Sequence, residues 1–213
     1  MILIVDYGMG NLRSVFNAFR HVAPDLRIAI TSDADAVQGA RRIVVPGQSA
    51  MPDTMAALNA SGLREAVIHA AAKKPFLGIC LGLQMLFEES EEGPTRCLGL
   101  YEGRVVRFDR RRMIDASGAR LKVPHMGWSP VRQVRPHPLW TGITDGTRFY
   151  FAHSYFPLPC NTEIITGSVA YPSVDEPFTC AIGRATLFAV QFHPEKSSSA
   201  GLQLLSNFVS WKN

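Results

Sequence analysis

Apolar and polar residues follow two different rhythms along this chain. In the first half, short and mostly apolar runs at residues 2–5, 26–30, 43–45 and 76–79 read as strands. Between them apolar positions recur every three or four residues. Leu12, Val15, Phe16 and Phe19 make one helical stripe. Met55, Leu58, Leu63, Val67 and Ala70 make another over residues 53–72, as one helix or as two broken near Ser61-Gly62. A further helix is predicted to open at Gln84 and run to Glu89. Strands that are apolar on both sides and alternate with helices predict an α/β fold: a parallel sheet covered on both faces.

The second half changes character. Short strand-like runs at 102–108, 131–134, 148–151, 162–168, 178–182 and 185–192 are separated by Gly and Pro. They predict an antiparallel extension on one edge of the sheet, closed by a helix over 199–211 that carries Leu202, Leu205, Phe208 and Val209. No repeat or low-complexity linker interrupts the chain, so residues 1–213 are read as one domain.

Composition adds limits rather than direction. A 213-residue chain with 46 % hydrophobic and 19 % charged residues can bury a full core. The net charge of +4 is mild, and basic residues cluster only at 107–112 (RFDRRR). That cluster reads as a solvated loop or docking surface in preference to a nucleic-acid patch, so no nucleic-acid partner is expected. The apolar start is too short for a signal peptide and lacks a basic lead-in. No run approaches the roughly 18 apolar residues of a membrane span. Cys80, Cys97, Cys160 and Cys180 form no CxxC pair, so neither a metal nor a cofactor is expected. A reduced, cytoplasmic setting follows, with Cys97, Cys160 and Cys180 read as structural fillers.

Candidate chemistry begins at two glycine-bearing turns. Gly8-Met9-Gly10 follows the first strand, but Arg13 stands where a dinucleotide fingerprint needs its third glycine. It reads as a strand-to-helix turn with Asn11 and Arg13 at the surface. Gly78-Ile79-Cys80-Leu81-Gly82 has the form of a nucleophile elbow, a strained strand-to-helix turn whose close neighbours must lack a Cβ. A lone cysteine is otherwise an inert core thiol; the flanking glycines favour the nucleophile, whose thiolate the following helix would stabilise.

A thiolate nucleophile needs a base and a group to orient that base. His21 and His69 fall on helix surfaces and His137 in a loop, whereas His193 ends a strand and precedes Pro194-Glu195. In extended chain, residues two apart share a face, which sets Glu195 beside His193. Pro194 is expected to keep that link from turning helical. Pro46-Gly47-Gln48-Ser49, ending the third strand, is either an ordinary turn or a second source of oxyanion donors.

Taken together, GICLGLQ, FHPE and the Pro-Gly loop resemble the class I (triad) glutamine amidotransferases, which have a flavodoxin-like fold. YGMGNLRS, PHMGW, FAHSY and FHPEKSS resemble, within that family, the glutaminase subunits of imidazole glycerol phosphate synthases, and the likeness runs from Asp6 to Ser198. This resemblance implies a Cys80, His193 and Glu195 triad that hydrolyses glutamine. It implies oxyanion donors at Gly47, Gln48 and Leu81, and substrate contacts at Gln84, Ser154 and Tyr155. Asn11, Arg13, Met126, Trp128 and Lys196 would dock on a (βα)8-barrel cyclase to form a heterodimer. Ammonia would pass through a tunnel to that cyclase, which makes imidazole glycerol phosphate and aminoimidazole carboxamide ribonucleotide in histidine biosynthesis. Two positions depart from the family pattern: Ser49 replaces a glycine of the oxyanion loop, and Ser129 replaces an asparagine after MGW. Two other readings stay open: the same triad serving another acceptor, and a catalytically silent docking subunit with Ser49 blocking the oxyanion hole.

Overall fold

The computed structural model describes residues 1–109, 111, 122–171 and 177–212, so Arg110 and Arg112 of the basic cluster lie outside it. The first half contains strands β1 (Ile2–Val5), β2 (Ile28–Thr31), β3 (Arg42–Gly47) and β4 (Phe76–Cys80). They alternate with helices α1 (Leu12–Val22), α2 (Ala34–Gly39), α3 (Met51–Ala60) and α4 (Arg64–Lys73). The stripe over 53–72 is two helices, because the chain breaks at Ser61-Gly62 and Gly62 takes a φ of +70°. Beyond the single-turn helix α5 (Leu81–Gln84) come short strands β5 (Glu89–Ser90), β6 (Thr95–Arg96) and β7 (Gly103–Arg107). Then follow β8 (His125–Pro130), β9 (Arg132–Gln133), β10 (Arg148–His153), β11 (Tyr155–Pro159), β12 (Ile165–Val169), β13 (Phe178–Arg184) and β14 (Leu187–Val190), with α6 (Ser198–Ser210) last.

The main sheet has eight strands in the order β2-β1-β3-β4-β14-β13-β12-β9. Pairing is parallel from β2 through β14 and antiparallel from β14 to β9. The antiparallel extension is therefore real, but it holds only part of the second half. β8 and β10 pair as a separate ribbon, and β11-β7-β5-β6 form a small sheet of their own. The runs at 102–108 and 148–151 thus belong to a layer apart from the main sheet.

Side-chain alternation explains why the parallel strands are apolar throughout. Ile2, Ile4, Leu77 and Ile79 point into one core with Val15, Phe19, Phe188 and Phe208 of α1, β14 and α6. Leu3, Val5 and Phe76 point into the other with Met55, Leu58 and Val67 of α3 and α4. In β1, β3 and β4 every position but Arg42 is buried on one face or the other, so no polar rhythm is left to see there.

The helix expected over 84–89 is not there. Helical backbone ends at Gln84, and the carbonyls of Met85, Leu86 and Phe87 accept instead from the amides of Leu98, Leu100 and Gly99. Leu83, Met85, Leu86 and Phe87 are all fully buried. An apolar run buried on every side has no stripe, so periodicity alone could not assign its backbone. Nearby, Arg111 pairs with Asp109 at the surface at 2.9 Å. Among the described residues no helix is long and apolar enough to cross a membrane, and no group of three or more His, Cys, Asp or Glu side chains could hold a metal ion.

The turn leaving β4 passes so close to β3 that a Cβ on Gly82 would run into the Val45 carbonyl. Gly82→Ala is therefore expected to cost about 1–3 kcal/mol as overpacking, and to lower the melting temperature by roughly 2–4 °C for each of them. Gly39→Ala, where an added Cβ meets nothing within 4 Å, is the control expected to melt like the unchanged protein. Differential scanning calorimetry of both checks the contrast.

Candidate active site

Cys80 is the last residue of β4, with φ of 56° and ψ of −109°. Holding a non-glycine residue there costs on the order of 1–3 kcal/mol, which the surrounding packing must supply. The neighbours explain how the turn closes: a Cβ on Gly78 would collide with the Gly82 carbonyl. The elbow expected from the glycine spacing is present. The helix behind it is a single turn, so the large dipole expected of a long helix is missing and only its first amides, beginning at Leu81, remain.

His193 follows β14, which runs parallel to β4 with Val190 opposite Ile79. Its amide donates to the Tyr150 carbonyl at 2.9 Å. Ser197 locks the same segment, since its hydroxyl donates to the His193 carbonyl at 2.6 Å and accepts from the Tyr150 amide at 2.9 Å. The imidazole Nδ1 donates to Glu195 Oε1 at 2.8 Å, which leaves Nε2 for the Cys80 sulfur, the ring's other side-chain partner. Burial alone would lower the His193 pKa, but the hydrogen bonds and charges of Cys80 and Glu195 outweigh it and raise the value to about 10.

The pairing of His193 with Glu195 holds, but by a different backbone from the one expected. Pro194–Lys196 is a 3-10 turn. Proline fits the first position of such a turn because its missing N–H would be unpaired there and its φ is already helical. Glu195 Oε1 also accepts from the Asn11 carboxamide at 3.4 Å. Asn11, expected at a docking surface, thus reaches the candidate triad itself. Glu195 Oε2 is buried with no hydrogen-bond partner among the described residues.

Parallel pairing of β3 with β4 sets Gly47 directly opposite Cys80. A Cβ on Gly47 would lie 2.9 Å from the Tyr7 hydroxyl, which donates to the Pro46 carbonyl at 2.7 Å. Tyr7 therefore clamps the loop expected to carry oxyanion donors, a contact the sequence pattern did not reveal. Gln48 and Ser49 are exposed at the mouth of the cavity beside Cys80, and Ser49 keeps a negative-φ backbone.

That cavity, of about 180 Å³, is lined by Gln48, Ser49, Cys80, Leu81, Gln84 and Glu92 on one side and by Pro124 and residues 152–155 on the other. All three expected substrate contacts, Gln84, Ser154 and Tyr155, are on its wall. The Gln84 carboxamide donates to the Tyr155 carbonyl at 3.0 Å and to Gln191 Oε1 at 2.9 Å. The Gln191 amide lies 3.6 Å from the Cys80 sulfur.

Sequence reasoning passed over Gln191, Glu92 and His153. Gln191 was legible as the one polar position in an apolar strand end. Glu92 was hidden among the acidic residues 88–92, which look like any solvated face, and it alone of them lines the cavity. Its Oε2 accepts from the Met51 amide at 2.9 Å.

The remaining expected docking residues sit on the outside. Met126 is 64 % and Trp128 47 % exposed, Arg13 is exposed, and Lys196 is half-buried beside the His193 turn. Trp128 meets Tyr150 edge-on with ring centroids 6.1 Å apart, next to the backbone that holds His193. Of the other cysteines, Cys97 and Cys180 are buried fillers as expected, and burial pushes the Cys97 thiol up to about 12. Cys160 is exposed and fills no core, because it follows the last residue of β11 into a surface turn.

Comparison with known proteins places this geometry. The model of the class I glutamine amidotransferase family matches residues 3–211. The imidazole glycerol phosphate synthase subunit HisH of Thiobacillus denitrificans is 57 % identical over 210 residues, covering 99 % of this chain and 91 % of its own. HisH of Aromatoleum aromaticum is likewise 57 % identical, over 99 % of this chain and 98 % of its own. Among solved structures, PurLQS from Thermotoga maritima superposes with a TM-score of 0.70 at 17 % identity, covering 98 % of this chain and 97 % of that one. The glutaminase domain of the Trypanosoma brucei CTPS, with bound acivicin, gives 0.67 at 18 %, covering 100 % and 94 %. These two share the fold, and the family match spans nearly the whole chain: it belongs to the class I glutamine amidotransferases.

Proposed function

We propose that this chain is the glutaminase subunit of an imidazole glycerol phosphate synthase in histidine biosynthesis. The observation that carries the chemistry is the Cys80, His193 and Glu195 constellation at one cavity; the relatives at 57 % identity carry the pathway. The Cys80 thiolate attacks the γ-carboxamide carbon of glutamine, and the carbonyl oxygen becomes an oxyanion held by backbone donors near Leu81 and Gly47-Gln48. The C–N bond then breaks as His193 gives its proton to the leaving nitrogen, releasing ammonia and a γ-glutamyl thioester. Water, deprotonated by His193, attacks the thioester to give glutamate and restore the thiol. Glu195 keeps Nδ1 protonated throughout, so Nε2 faces the reaction. Gln84, the Ser154-Tyr155 backbone and the Glu92 carboxylate surround the substrate's amino-acid end, where a carboxylate suits its ammonium.

The ammonia is consumed by a cyclase subunit, a (βα)8 barrel, docked over Met126, Trp128, Arg13 and Lys196. The exposed apolar pair Met126 and Trp128, with Trp128 against the Tyr150 whose carbonyl holds the His193 amide, supports that placement. Against a silent docking subunit stand the intact His193–Glu195 pair and a Ser49 that carries no left-handed strain.

The following outcomes test this reading. Cys80→Ala is expected to abolish glutamate release while the cyclase still turns over with added ammonium; glutamate release that survives the substitution sinks the proposal. The His193 pKa, raised to about 10, places the alkaline fall of kcat/KM near that pH, with the acid fall following protonation of the thiolate–imidazolium pair. Glu195→Gln removes one of the groups that raise it, so the alkaline limb moves to lower pH and kcat drops by about 10²–10⁴. The same linkage stabilises the fold: His193's contribution is complete below its ordinary 6.5 and is lost as pH rises through about 10. Finally, Trp128→Ala is expected to weaken cyclase binding about tenfold or more by isothermal titration calorimetry, with Leu158→Ala as an exposed control.

A further inference from the structure

Two histidines outside the triad are buried side by side, and the function described above makes no use of them. β8 alternates: Met126, Trp128 and Pro130 are exposed, while His125 and Ser129 are buried. His125 Nε2 lies 2.9 Å from the Ser129 hydroxyl, and its Nδ1 lies 3.1 Å from His153 Nε2. His153 Nδ1 lies 2.8 Å from the Tyr155 carbonyl.

The protons in this chain are determined from one end. A carbonyl only accepts, so His153 Nδ1 carries a proton. In the neutral ring Nε2 is then an acceptor, and His125 must donate to it from Nδ1. That leaves His125 Nε2 to accept from Ser129. Burial keeps both rings uncharged, with pKa values lowered to about 3 for His153 and about 4 for His125. Aromatic neighbours flank both rings: His125 stacks on Phe151 at 5.1 Å and His153 packs on Phe178 at 5.3 Å.

The output end distinguishes this pair from histidines that merely fill a core. Tyr155 and His153 both line the cavity beside Cys80. The Tyr155 oxygen that His153 holds is also the acceptor of the Gln84 carboxamide, so its two lone pairs are both filled. From Gln84 the contacts continue through Gln191 toward the nucleophile. At the input end, one strand presents its outward side chains to solvent and its inward ones to this chain of hydrogen bonds.

We propose that His125 and His153 are positioning residues of the glutamine pocket, a relay of two Nδ1-protonated imidazoles that fixes the Tyr155 carbonyl and, through it, Gln84, from the strand whose outer face carries Met126 and Trp128. The substrate role rests on the glutaminase reading; the relay does not. Ser129 is its terminal donor, and a serine hydroxyl suits that place because it donates to Nε2 without needing to accept.

The test joins a spectroscopic and a kinetic readout on the full chain. In long-range ¹⁵N–¹H correlation spectra at pH 7, His125 and His153 are expected as neutral Nδ1–H tautomers, the form less favoured by free imidazole side chains. An Nε2–H or doubly protonated His153 overturns the relay, whatever any variant does. In the complex with the cyclase, His125→Phe keeps the ring stack and removes both hydrogen bonds. It is expected to raise KM for glutamine about five- to tenfold with kcat within about twofold, and Ser129→Ala to raise KM about two- to threefold. Unchanged KM in a folded His125→Phe protein, or a loss confined to kcat, overturns the positioning role. A wild-type complex that releases no glutamate overturns the glutaminase reading and the substrate role with it, while the spectra still decide the relay.

Discussion

Parallel pairing of β14 with β4 is the contact on which the rest depends. The two strands are more than a hundred residues apart in sequence, and side by side they end at the same edge of the sheet. The residue leaving one is Cys80 and the segment leaving the other carries His193. Open α/β sheets offer a crevice at the carboxyl ends of their strands, since loops there diverge while the apolar faces stay covered. Here β3 ends at that edge as well and sets Gly47 opposite the sulfur. Any shift of register would break the constellation, and register is well specified because β4 and β14 are buried on both faces.

Strain and buried charge at this edge are held by the scaffold around it. The Cys80 backbone sits where a Cβ is unwelcome, and the two glycines beside it let chain segments pass at distances no other residue permits. His193 is tied at its amide, carbonyl and ring, and the Ser197 hydroxyl joins its backbone to β10. A charge-assisted pair buried this deeply is worth keeping only when its geometry is held, because desolvation opposes it. Glu195 shows the balance: Oε1 is doubly occupied by His193 and Asn11, while Oε2 has no partner among the described residues. An unpaired carboxylate oxygen is costly, and the carboxylate's charge favours the cationic form of the imidazole beside it.

Much of this was legible in the sequence, and the failures share a cause. The parallel strands, the paired helices of 53–72 and the elbow follow from local pattern, because apolar runs and glycine spacing act over a few residues. Local pattern could not see that the helix after Cys80 stops at Gln84, because the carbonyls of 85–87 beyond it are claimed by the distant segment 98–100. Nor could it see that the second half builds three separate pairings, since strand partners are chosen by tertiary contact. The same holds for the site. Cys80, His193 and Glu195 could be read because each sits in a motif with its own physical reason. Tyr7, Gln191, Glu92 and His153 acquire meaning only from what lies across the cavity from them. The turn at Pro194 is instructive: Glu195 does pair with His193, yet through a 3-10 turn, because proline suits the start of a helix as well as a strand end.

β8 shows how one short strand can serve two requirements at once. Side chains on a strand alternate between faces, so a residue's partner class is set by its parity. Odd positions here bring His125 and Ser129 into a dry aromatic layer, where every polar atom needs a partner. Even positions bring Met126 and Trp128 to the surface. The inner hydrogen bonds are short and directional and end on the Tyr155 carbonyl at the cavity beside Cys80. The strand's backbone thus carries an exposed apolar face on one side and, on the other, hydrogen bonds that reach the cavity beside Cys80.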